Sequence, residues 1–94
     1  MSIYEQINTD EDSREILTYC KTPRTSDEIV EHLWKTKRAI YPVSYGSKNA
    51  EQKIRTIVGL KLGVLEKNKA LSFVNNKWET SETAISILAK YFGL

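Results

Sequence analysis

The apolar period of this 94-residue chain changes near Gly63, and that change constrains the fold more than any other feature. Up to Leu62 the hydrophobic residues recur at helical spacing. Beyond Gly63 they fall in short β-prone runs separated by Asn and Lys, and after Thr80 the helical spacing returns. The order is therefore helix, helix, helix, hairpin, helix. So short a chain holds one core, and residues 1–94 are read as a single α+β domain, mainly α. Apolar residues make up 40% and charged residues 28%, which separates it from a disordered tail.

The first helix is expected over Ser13–Cys20, capped by Asp12 with Glu15 three residues on, and stopped by Pro23. Residues 1–11 read as an N-terminal arm or an extra helical turn. Thr25-Ser26-Asp27-Glu28 is a capping box opening a second helix, which buries Ile29, Val30, Leu33 and Trp34 and fades near Arg38. Tyr41-Pro42 and Gly46-Ser47 mark a loop over Ala39–Lys48, with Tyr41 and Tyr45 wrapping the core or free for function.

A third helix starts near Asn49. Ala50, Ile54, Ile57, Val58 and Leu62 share its inner side. Asn49, Gln52 and Thr56 point the opposite way, with Lys53 and Arg55 on the flanks and Gly59 also outward. Gly63 is expected to end this helix through a left-handed cap. Leu71–Val74 is then expected to pair back on Val64–Glu66 around a tip at Asn68-Lys69, with Asn75-Asn76 as the other candidate tip. The last helix, 81–92, directs Ala84, Ile85, Leu88 and Phe92 to the core, while Ile87 lies almost opposite Ile85. Apolar residues on so much of its circumference predict a homodimer through Ala84, Ile87, Leu88 and Tyr91.

Charge is segregated along the chain. Residues 34–77 carry ten basic and two acidic side chains, a net +8, and the remainder carries −6. One side of a small domain can thus face a polyanion. Chemistry-bearing motifs are sparse. The four glycines form no phosphate loop, and the single His32 and single Cys20 supply neither a zinc set nor a nucleophile with its base. No enzymatic activity, metal or cofactor is expected, and Cys20 reads as a buried thiol. One cysteine fits a reducing cytoplasm. No apolar run approaches the roughly 20 residues of a membrane span, and the first residues lack the pattern of a secretory signal.

Thr25-Ser26-Asp27-Glu28-Ile29-Val30, together with Ile54 through Lys67 and its Leu62-Gly63-Val64-Leu65-Glu66-Lys67 ending, resembles the winged helix-turn-helix domains over residues 12–80. Most members of that family are DNA-binding transcriptional regulators. The resemblance implies a three-helix core, a β-hairpin wing and a C-terminal helix. It implies that the third helix enters the major groove of double-stranded DNA, with Asn49, Gln52 and Thr56 at base edges and Arg55 on guanine or phosphate. Lys48 and Lys53 would hold phosphates, as would Arg24 and the stretch from Lys35 to Arg38. Lys67, Asn68 and Lys69 would form the wing, joined by Asn76 and Lys77. Two features depart from the pattern: the link between the second and third helices is long, and Gly59 stands where an apolar residue is usual. Two other readings stay open, a protein–protein module and a binder of RNA or single strands that stacks bases on Tyr41, Tyr45, Phe73 and Trp78.

Overall fold

The computed structural model describes residues 2–37 and 46–94, and the side chains of residues 2–36 and 51–94. The elements run α1 (Ile3–Thr9), α2 (Glu11–Tyr19), α3 (Ser26–Lys37), α4 (Gly46–Lys67), β1 (Leu71–Val74), β2 (Lys77–Thr80) and α5 (Glu82–Phe92). The chain is α+β and mainly helical.

The N-terminal stretch is a helix that belongs to the core. Ile7 is fully buried and Gln6 nearly so. Asp10, not Asp12, caps α2: its carboxylate accepts from the Asp12 N–H at 3.2 Å and from Ser13 Oγ at 2.7 Å. The backbone N–H of Asp10 also closes α1 by donating to the Gln6 carbonyl. One residue thus ends one helix and begins the next. The capping box of α3 forms reciprocally, Thr25 N–H to Glu28 Oε1 at 2.8 Å and Glu28 N–H to Thr25 Oγ1 at 3.2 Å. The bond from the Thr25 backbone is the main reason that the Glu28 carboxyl sits below its ordinary range.

α4 passes straight through Gly63. Leu65 continues the buried register of Ile54, Val58 and Leu62. A helix-interior glycine costs about 1 kcal/mol relative to alanine, whereas burying a leucine returns about 2 kcal/mol, so the helix continues. It stops at Lys69, which takes a left-handed φ of 63°. Two bonds close the end, Lys69 N–H to Glu66 O and Ala70 N–H to Leu65 O, both 2.9 Å, with Ala70 buried beside Leu65. The expected pairing of β1 with Val64–Glu66 therefore does not occur. β1 pairs antiparallel with β2 in the register Leu71↔Thr80 to Val74↔Lys77. The tip is Asn75-Asn76, with φ of 53° and 63°, the two left-handed residues of a tight hairpin turn.

The base of the hairpin is fastened on both sides. Thr80 N–H donates to Cys20 O at 2.9 Å, and its buried hydroxyl donates to Leu17 O at 2.6 Å. Arg24 bridges Trp78 through two backbone bonds, of 3.0 and 2.7 Å, adding a one-residue third strand just before α3. Trp78 also donates its indole N–H to Ser26 Oγ at 2.9 Å. Helices α2 and α5 pack together beneath this edge, and α3 packs on α4.

Candidate nucleic-acid interface

The outer side of α4 is open to solvent where it is described. Gln52, Lys53, Arg55 and Thr56 are all exposed, while Ile54 and Val58 between them are buried. The helix has 22 residues, about 33 Å, and its inner anchors begin at Ile54. Lys48 and Asn49 lie in its first turns, with side chains outside the described set. Arg38, Tyr41 and Tyr45 lie outside the described residues.

Arg55 is not a bare cation. Its Nη1 meets Asp27 Oδ1 at 2.8 Å, and Nη2 meets Glu51 Oε1 at 3.3 Å. The hydrogen bond from Asp27, then that from Glu51, raises its pKa above the ordinary arginine value. A phosphate reaching Arg55 must therefore displace carboxylates. Thr56 donates its hydroxyl back to Gln52 O at 3.1 Å, a bond within the helix.

The remaining expected contacts are divided. Lys67, Asn68 and Lys69 stand at the C-terminal end of α4 rather than on the wing. Asn68 donates to Gln6 Oε1 at 2.9 Å and joins α4 to α1, so its amide is committed to the fold. Lys67 and Lys69 are exposed. Lys77 opens β2 beside the tip, exposed with Asn75 and Asn76. Phe73 lies against Trp78, ring centroids 4.6 Å apart. Trp78 packs on the core, but Phe73 is 45% exposed.

The +8 tally of residues 34–77 is partly cancelled in three dimensions. Lys35 pairs with Glu31 at 3.0 Å, Lys61 with Asp10 at 2.5 Å and Arg55 with Asp27, and all three acids lie outside that segment. Chain segregation overstated the field because it ignores which elements fold against each other.

Of the residues expected at a dimer interface on α5, Ala84 and Leu88 are fully buried in the chain's own core and have no surface to offer. Ile87 is half-buried against that core. Tyr91 alone of the four is well exposed, at 55%, and it meets the Tyr4 ring edge-on at 5.0 Å.

Sequence reading gave no prominence to one aromatic stack. The Tyr19 ring is parallel to His32 at 3.9 Å and has the Arg24 guanidinium 4.1 Å from its centroid. His32 Nε2 meets Glu15 Oε1 at 2.7 Å. These residues line an open depression of about 390 Å³ with Thr18, Lys21 and Thr22. His32 is thereby engaged with α2. Cys20 is fully buried, and burial pushes its thiol up to about 12, which leaves no thiolate for nucleophilic chemistry. Among the described residues no group of three His, Cys, Asp or Glu could hold a metal ion, and no helix is long and apolar enough to cross a membrane. No protein-family model matches the chain, and neither a curated protein nor a solved structure matches it.

Proposed function

We propose that this chain is a winged-helix protein that binds double-stranded DNA, as a small transcriptional regulator does. The first half of α4 enters the major groove, and the hairpin rests along the backbone. One observation supports this above the others. An exposed polar face on a helix stands in the same small fold as a hairpin fastened through Arg24 to the segment that opens α3. The order helix, one-residue strand, helix, helix, hairpin is that of the winged helices.

In this reading Gln52 and Asn49 pair with adenine edges, and Lys48 and Lys53 hold phosphates. Arg55 exchanges Asp27 for a phosphate or a guanine. Asn76 and Lys77 carry the wing contact, and Arg38 adds a flanking phosphate contact. Lys67 and Lys69 lie at the far end of α4, so their contribution is limited to the long-range field.

Selection from a random duplex pool, followed by mobility shifts over a salt series, tests this. Affinity should fall with a log–log slope of about −0.9 per phosphate contacted. Gln52→Ala with Arg55→Ala should weaken binding and relax the selected sequence. Duplex affinity unchanged in that double variant would remove α4 from the interface. Single strands outcompeting duplex would replace this reading with the single-strand one.

A further inference from the structure

The C-terminal half of α4 presents apolar surface that nothing in the protomer uses. Leu60 is 68% exposed and Val64, one turn on, 55%. Leu60 is the most exposed large apolar side chain among the described residues. Gly59 and Gly63 lie beside them. A Cβ built at either glycine meets no atom within 4 Å, and neither takes a left-handed φ. Neither space nor backbone conformation within the protomer requires glycine there. Both nevertheless weaken the helix that carries them. A close approach by an external backbone is the condition under which small residues help.

We propose that this face is a self-association surface, on which a second copy of the chain packs with its α4 antiparallel. Charge selects both the occupant and its direction. Arg55 and Glu66 are eleven positions apart and so fall within about 20° of each other on the helix. Both are exposed, and Glu66 has no side-chain partner among the described residues. With a twofold axis passing between Leu60 and Lys61, Arg55 of one copy meets Glu66 of the other. Ile57 then meets Val64, Leu60 packs beside its own counterpart, and the glycine pairs face each other. A parallel pair would instead set Lys53, Arg55, Glu66 and Lys67 each against itself, four like-charge contacts. The interface covers Thr56 and confines duplex contact to the turns of α4 before it. The self-association itself does not rest on the DNA reading, and its test uses no DNA.

Sedimentation over a protein concentration series should give a monomer–dimer equilibrium for the intact chain. Leu60→Glu should abolish the dimer, and Glu66→Lys should weaken it roughly tenfold. Gly59→Gln with Gly63→Gln should abolish it while raising the melting temperature, because glutamine is the better helix former. That combination separates loss of association from loss of fold. Tyr91→Ser should leave the dimer unchanged. Under oxidising conditions Leu60→Cys should give a disulfide-linked dimer. Thr56→Cys should not, because its copies stand about 14 Å apart along the axis, too far for a disulfide. A chain that is monomeric throughout the series overturns the proposal. So does a dimer that survives both Leu60→Glu and the glycine pair, or one that Tyr91→Ser dissolves. Cross-linking at both cysteine positions overturns the antiparallel arrangement.

Discussion

Asp10 concentrates three tasks in one carboxylate, and the tasks can be separated by substitution. It caps α2, accepts the Ser13 hydroxyl and pairs with Lys61 of α4 at 2.5 Å. The Asp10 and Lys61 side chains are only 31% and 26% exposed. Asp10→Asn keeps a good cap and removes the charge. It should cost about 1 kcal/mol, the upper end for a surface pair, because both heads are mostly covered. Asp10→Ala also loses the cap, about 1 kcal/mol. It further leaves the fully buried Ser13 hydroxyl without its acceptor, at about 1 kcal/mol more. Unfolding entropy for a domain this size is about 0.2 kcal/mol per degree, so the melting temperature should fall by about 5 °C in the first variant and about 15 °C in the second. Burial pushes the Asp10 carboxyl up, but the bonds from Lys61 and Ser13 and the charge of Lys61 outweigh it and leave the pKa below the ordinary value. The folded state therefore binds this proton less readily than the unfolded chain. The stability it contributes is fully present above the unfolded pKa of about 3.9 and is lost as pH falls through the folded value. Thermal unfolding followed by circular dichroism should show the wild type and Asp10→Asn converging as pH drops from about 5 to about 2. A gap that stays constant over that range, or an Asp10→Asn protein as stable as wild type at neutral pH, would refute the ion-pair assignment.

Two further outcomes are expected. Cys20 should stay silent to a thiol reagent in the native protein near neutral pH and react on unfolding, because its thiol is buried and its pKa is pushed up to about 12. The unfolded thiol ionises near 8.5, so stability should decline as pH rises from about 8.5 towards the folded value, and Cys20→Ser should flatten that decline in alkaline denaturation curves. Lys69→Gly should raise the melting temperature, since a non-glycine residue at φ 63° carries about 1 kcal/mol of strain that glycine relieves; an unchanged or lower value in thermal melts would show the strain to be absorbed elsewhere.

The helix starts that rest on local hydrogen bonds were legible in the sequence. Thr25 with Glu28 and Ser81 ahead of α5 both cap as their residue types require. Readings failed where a local signal competed with a distant partner. Gly63 looks like a stop, but Leu65 has a core site waiting, and a glycine costs a helix less than that burial returns. Asp12 and Asp10 offer equivalent carboxylates, and the choice between them follows from Lys61, 51 positions away. The hairpin tip turned on the same error, because once α4 runs to Lys67 only Asn75-Asn76 remains to reverse the chain. On the candidate interface, periodicity alone placed Gln52 and Thr56 outward. The Asp27–Arg55 contact needed the packing of α3 on α4, which no spacing rule encodes.

The attachment of the hairpin also governs how it can respond to anything laid against it. Thr80 is tied to Leu17 and Cys20, and Trp78 is tied to Arg24 and Ser26, so the lower rungs move only with the helices. From Phe73 to Lys77 the ribbon has no such moorings beyond its own ladder and the Phe73–Trp78 contact. A surface meeting it will encounter a pliant fingertip on a stiff knuckle, adjusting by local twist of its outermost residues rather than by a swing of the whole flap.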